Sequence, residues 1–148
     1  MSTRSNVVII KKIENSNDLM YNTMYRHCDG YPTGAGQILQ DFLNTVAKDS
    51  NNDVDDFANR IHRYDIDFEK EGSILCCHGD IEYLYLINLD NSTITCYNIG
   101  FIDYKIQLMH PERFVNFKDL VDNKHDNSGL VSKIYEASFA DKFSDIKI

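Results

Sequence analysis

The sequence changes character over residues 25–36, where a strand-like pattern gives way to a helical one. The dipeptide Asp29-Gly30 is typical of a turn, because glycine takes positive φ easily and aspartate can bond its own nearby backbone. Pro32 fixes φ near the helical value and suits a first helical turn, where its missing N–H costs little. We therefore expect a helix to begin near Thr33 or Gly34. The apolar residues at helical spacing are Ile38, Leu39, Phe42, Leu43 and Val46.

Two apolar segments before this turn predict a β-hairpin. Residues 6–13 are too continuously apolar for a surface edge, and residues 19–27 alternate after a polar turn. An antiparallel pairing of the two places Arg4 near Arg26 and His27. The hairpin is thus predicted to gather two arginines and a histidine at one end of a sheet.

The rest of the chain predicts an α+β fold. We expect one globular domain over residues 1–148, with a mostly antiparallel sheet of five or six strands and two or three helices packed on one face. Weak helical periodicity over 130–148 suggests a frayed C-terminal tail. The other predicted elements are a helix over 53–63 capped by Asn52 or Asp53, a loop or short strand over 65–71, strands over 73–77, 81–89, 93–99 and 104–108, and a third helix over 114–121.

The turn and its helix start suggest an anion or phosphate site. A glycine-bearing helix start leaves backbone N–H groups free and directs the positive end of the helix dipole outward. The alternative is a purely structural corner, in which Asp29 caps and the glycines only shape the turn. Strand alternation also puts Tyr25, His27 and Asp29 on one face and Arg26 on the other. The candidate ligand-binding residues are Arg4, Arg26, His27, Asp29, Gly30, Tyr31, Thr33, Gly34 and Gly36.

A second candidate is a hydrolytic cluster. His78 and Asp80 lie between two predicted strands and could join His27 and Asp29, since imidazole and carboxylate suit acid–base or metal-assisted hydrolysis. The alternative is an ordinary strand connection with a Gly-Asp turn. No short metal-binding motif unites these residues, so we assign no metal ligand and no cofactor.

The opening run Met1-Ser2-Thr3-Arg4-Ser5-Asn6 and the element Tyr25-x-His27-x-Asp29-Gly30-Tyr31-Pro32 together resemble a family of small phage and prophage proteins. The resemblance covers roughly the first forty residues. It implies a small virus-associated accessory protein, and it carries no activity with it.

Charge and cysteine content limit the partners. The formal net charge is −8, from 23 acidic and 15 basic residues, which disfavours nucleic acid as a partner. The sequence has no apolar run of about 20 residues and begins with polar residues, so we expect no membrane span and a cytoplasmic location in the host cell. The four cysteines include no C-x-x-C pair, and free thiols are expected.

Three function classes remain. The first, which we favour, is a binder of a small anionic, nucleotide-like ligand such as a host-defence signal, which it would sequester. The second is a small metal-dependent hydrolase or nucleotide-cleaving enzyme. The third is an inhibitor that offers its acidic surface to a basic host protein.

Overall fold

A six-stranded mixed sheet forms the centre of the computed structural model, which describes residues 3–16, 18–49, 53–72, 81–99 and 131–148. The strand order is β3-β2-β1-β4-β5-β6. The predicted strands over 73–77 and 104–108, and the predicted third helix, lie outside the described residues. The strands are β1 (Ser5–Lys12), β2 (Leu19–Arg26), β3 (Glu69–Gly72), β4 (Tyr83–Asn88), β5 (Thr93–Ile99) and β6 (Val131–Ser138).

Strand β1 is the central strand of this sheet. It pairs with β2 in the predicted antiparallel hairpin, from Ser5 opposite Arg26 to Lys12 opposite Leu19. On its other side it pairs in parallel with β4. Having a neighbour on each side and an apolar layer on each face explains its continuous apolar run. The other described pairings are antiparallel, so the predicted α+β class is confirmed, with one parallel pair added.

Two helices pack on the same face of the sheet. Helix α1 (Gln37–Val46) follows a π-helical turn over Pro32–Gly36, so the helical path begins close to the predicted position. Helix α2 (Val54–Tyr64) begins after Asp53, whose carboxylate accepts the N–H of Asp55 at 2.9 Å, as the predicted cap requires. The apolar stripes of both helices join the inward side chains of β1, β4 and β5 in one core. No helix in the described ranges is long and apolar enough to cross a membrane.

The opposite face of the sheet is also apolar and buried. Val8, Leu84 and Leu86 alternate with the helix-facing residues of the same strands and are at most 7% exposed. Tyr25, from β2, belongs to this second cluster. The sheet is therefore an interior layer at its centre, which restricts ligand access to the ends and edges of its strands.

The predicted frayed tail over 130–148 is wrong, because this segment contributes β6. Tyr135, Ala137 and Phe139 alternate into the helix-facing core, a pattern of period two that the mixed polarity of the segment conceals. Two amide side chains of α1 hold the end of the strand. Gln40 Nε2 donates to the carbonyls of Ser138 and Asp141 at 3.0 and 2.7 Å, and Asn44 Nδ2 donates to those of Phe139 and Asp141 at 2.8 Å each.

Two buried tyrosines in this core differ in one hydrogen bond. Tyr85 Oη donates to the carbonyl of Gly30 at 2.8 Å, whereas the buried Tyr135 Oη has no partner among the described residues. Removing the Tyr85 hydroxyl leaves the buried carbonyl of Gly30 without this hydrogen bond. Removing the Tyr135 hydroxyl breaks no described hydrogen bond. We expect Tyr85→Phe to lower the free energy of unfolding by about 1–3 kcal/mol, and Tyr135→Phe to leave it unchanged or raised.

Urea unfolding followed by circular dichroism measures both values. An equal loss in the two variants would contradict the assigned bonding.

Candidate functional site

The turn between β2 and α1 has an exposed side and a buried side. The exposed side chains alternate along the chain, at His27, Asp29, Tyr31 and Thr33. We call these four residues the turn surface. The residues between and after them are partly or fully buried against the sheet: Cys28, Gly30, Pro32, Ala35 and Gly36. One side of the turn is therefore structural, and the other is available to a ligand.

The backbone amides of the turn are largely engaged. The N–H of Gly30 donates to the carbonyl of Thr3 at 2.9 Å, which joins the turn to the start of β1. The N–H groups of Gly34 and Ala35 donate to the carbonyls of Tyr31 and Asp29 at 2.9 and 2.7 Å. The expectation that the glycine-bearing helix start leaves its amides free is wrong for these three groups. A ligand must be held mainly by side chains.

The glycines serve close packing and not the predicted positive φ. The left-handed residue is Asp29, with φ 53°, a conformation that aspartate tolerates better than most residues. A Cβ on Gly30 would lie 2.9 Å from the backbone of Arg4, and one on Gly34 would collide with the carbonyl oxygen of Asp29. Likewise a Cβ on Gly36 would lie 2.8 Å from Tyr135 Oη. The three glycines let the turn lie directly on the sheet and close on itself.

Two contacts order the exposed side chains. Tyr31 Oη donates to Asp29 Oδ1 at 3.1 Å, and this hydrogen bond is the largest cause of the raised pKa of the Tyr31 phenol. The imidazole of His27 packs edge-to-face on the ring of Tyr25, with ring centroids 4.8 Å apart. His27 and Tyr25 thus share a face, as the alternation predicts. An imidazole, a carboxylate, a phenol and a hydroxyl lie together on one short segment.

Arg26 supports the turn from the buried side. Its side chain is 4% exposed, and its Nε donates to the carbonyl of Cys28 at 2.7 Å. The guanidinium lies 3.3 Å from Asp65 and 4.0 Å from Asp67, and it stacks 4.5 Å above the ring of Phe68. Arg26 was predicted among the ligand-binding residues. Its position gives it an indirect role, because it fixes the backbone that carries the turn surface.

The remaining candidates are placed as follows. Arg4 is half-buried beside Gly30, and the N–H of Glu82 donates to its carbonyl at 2.9 Å. It directly precedes the Ser5–Arg26 pair, so the hairpin register brings it to the end of the sheet where His27 lies. His78 and Asp80 lie outside the described residues. Within the part of the chain that the structure describes, no three His, Cys, Asp or Glu side chains are grouped to hold a metal ion.

The network around Arg26 was missed by sequence reasoning. Its acidic partners Asp65 and Asp67 follow α2, far along the chain, and the local pattern predicts only a loop or short strand there. The sequence signal was a pair of aspartates shortly before Phe68, together with an arginine, Arg26, at the end of a predicted strand. That signal is too common to indicate a contact on its own.

Comparison with protein-family models, with curated proteins and with solved structures finds no match for this chain. The function is therefore argued from the geometry of the turn.

Arg26 and Arg60 offer a matched test of how far the turn depends on its buried support. Arg60 pairs with Asp49 at 2.7 Å on the surface, where both side chains are at least 25% exposed. We expect Arg26→Met to cost about 2–3 kcal/mol of unfolding free energy, since it leaves the Cys28 carbonyl without its donor and Asp65 without its ion-pair partner. Arg60→Met should cost less than about 1 kcal/mol.

Urea unfolding gives both values. Equal effects of the two substitutions would contradict a supporting role for Arg26.

Two thiols should differ in reactivity. Cys28 and Cys96 are free, as predicted, while Cys76 and Cys77 lie outside the described residues. Cys28 is half-buried, whereas Cys96 is fully buried, and burial raises its pKa to about 12. We expect iodoacetamide at pH 8 to label Cys28 in the folded protein and to spare Cys96, as measured by peptide mass spectrometry. In urea both should be labelled, and equal labelling without urea would contradict the assignment.

Proposed function

We propose that the turn surface binds a small phosphate-bearing, nucleotide-like ligand. The observation that carries the proposal is the pairing of four exposed polar side chains with a backbone that is anchored at three points. The turn is bonded to Thr3 in the approach to β1, to β4 through Tyr85 and to the segment after α2 through Arg26. A site whose backbone is fixed before binding loses little conformational entropy on binding.

Each residue of the turn surface, together with the half-buried Arg4 beside it, has a chemically matched role in this proposal. The cation of Arg4 and the N–H of His27 would bind phosphate oxygens, because charge-assisted bonds to phosphate are the strongest available here. The ring of Tyr31, which is 39% exposed, would stack on a base. The Asp29 carboxylate would repel phosphate, so we assign it to a ribose hydroxyl, with Tyr31 holding its orientation. Thr33 adds a second hydroxyl at the rim.

The dipole of α1 makes a smaller contribution than the sequence predicts. Its positive end is directed towards the turn, but the first amides donate within the turn itself. The proposed affinity therefore depends on Arg4 and His27. Nucleotide binding through these two residues, combined with the resemblance to phage accessory proteins, suggests a protein that sequesters a nucleotide signal of host defence.

Isothermal titration with AMP, ATP and inorganic phosphate tests the proposal. We expect Arg4→Ala to weaken nucleotide binding by about 1.5–3 kcal/mol, the range for a hydrogen bond to a charged group. Arg60→Ala is the matched control, with the same loss of charge next to Asp49, beyond the C-terminal end of α1. The control should bind like the parent protein.

His27→Ala separates binding from catalysis. A binder should lose part of its affinity and form no product. If the protein is a hydrolase, the parent protein should convert ATP, and His27→Ala should keep its affinity for ATP and lose turnover. If none of the three compounds binds, or if Arg4→Ala and Arg60→Ala have equal effects, the proposal is wrong, and the acidic surface becomes the alternative to test against basic host proteins.

A further inference from the structure

We infer a second ligand site at the opposite end of β1, for a small zwitterionic peptide with apolar side chains. It lies in a concavity of about 780 Å³ where β1 and β4 end side by side. We call this concavity the strand-end crevice. Its lining includes Lys11, Lys12, Ile13, Glu14, Met20 and Asp90.

The strand order produces the crevice. Strands β1 and β4 are parallel neighbours, so their carboxyl ends meet at one edge of the sheet. The chain then leaves β1 towards β2 and leaves β4 towards β5, on opposite sides of the pair. Connections that diverge from adjacent parallel strands leave a gap between them, and in open sheets this is where ligands bind. Of the neighbouring strand pairs that the structure describes, β1 and β4 alone have this arrangement.

Hydrogen bonds fix both walls of the crevice. The N–H of Lys12 donates to Asp90 Oδ2 at 2.7 Å, which links the end of β1 to the turn after β4. The N–H of Leu89 donates to the carbonyl of Ile10 at 3.0 Å, which extends the parallel ladder. In the turn after β1, the N–H of Ile13 donates to the carbonyl of Asp18 at 2.9 Å. The crevice is therefore preformed.

The lining combines three kinds of group in one place. Ile13 and Met20 are each 40% exposed and give the crevice an apolar wall. The ammonium groups of Lys11 and Lys12 match a carboxylate, and the carboxylates of Glu14 and Asp90 match an ammonium. A small anion would use the lysines alone. A zwitterion with apolar side chains uses all three kinds of group, and its zero net charge fits the balanced lining.

This site is independent of the turn surface. The two lie at opposite ends of β1, which spans eight residues, so they are separated by roughly 23 Å of strand. A ligand at one site cannot contact the other. Failure of the nucleotide test above would leave this inference standing, and the reverse also holds.

The test is a ¹⁵N NMR titration of the whole chain with leucyl-leucine, its N-acetyl derivative and its C-terminal amide. Binding in the crevice should shift the amide signals of Lys12, Ile13 and Asp90 and leave those of Asp29 and Tyr31 in place. We expect the double substitution Lys11→Gln with Lys12→Gln to weaken the binding of leucyl-leucine about three- to tenfold. The binding of its C-terminal amide, which is weaker in the parent protein, should not change. Glu14→Gln should weaken the binding of leucyl-leucine and leave the binding of its N-acetyl derivative unchanged.

The matched control is Lys142→Gln with Lys147→Gln, two exposed lysines near the C-terminus that make the same change in net charge. The control should bind leucyl-leucine like the parent protein. The inference fails if the shifts do not map to the crevice, if the control weakens binding as much as the Lys11 and Lys12 pair, or if the three compounds bind equally. Circular dichroism confirms that each variant is folded before titration.

Discussion

The buried guanidinium of Arg26 is the interaction on which the turn depends. Taking a cation out of water costs several kcal/mol unless its charge is compensated, and here the Cys28 carbonyl accepts from Nε, two carboxylates form ion pairs and an aromatic face stacks on the guanidinium. These partners come from two parts of the chain: the turn at Cys28, and the segment between α2 and β3 that contains Asp65, Asp67 and Phe68. Folding must therefore bring the end of β2, the turn and the approach to β3 together at once. The turn surface is fixed as a consequence.

The two edges of the sheet are protected by different means. Strand β3 spans four residues and carries Glu69, Lys70 and Glu71, so it is short and charged. Strand β6 is longer, but its pairing with β5 shifts register between Cys96 and Tyr97, and Lys133 is exposed beside this irregularity. A bulge disrupts the regular spacing that another strand would need, and an edge lysine disfavours docking. These features disfavour the pairing of another strand at either edge, and they leave the strand ends as the parts of the sheet available for interaction.

The elements predicted correctly are those specified by local pattern. The first hairpin, the cap at Asp53 and the span of β5 each follow from residues that are close in sequence. The parallel pairing of β1 with β4 could not be predicted, because apolar alternation does not encode direction. Strand β6 was missed because mixed polarity conceals its period-two pattern, and the α1 side chains that hold its end lie far away in the sequence. In the turn, alternation predicted correctly that Tyr25 and His27 share a face. The engaged amides of Gly34 and Ala35 depend on a π-helical path that Pro32 alone does not predict.

The net charge of −8 does not decide what either end of β1 can bind. At physiological ionic strength the Debye length is about 8 Å, so a ligand responds mainly to the charges that it contacts. Arg26 forms a buried ion pair with Asp65 that supports the fold, whereas Arg60 pairs with Asp49 on the surface. The cations of β1 and its approach lie at the two ends of the strand, with Arg4 before it and Lys11 and Lys12 at its close. Because the faces of the sheet centre are buried, these strand ends are where charge and access coincide. The net negative charge of the chain is therefore compatible with the local cation clusters on which both proposed sites depend.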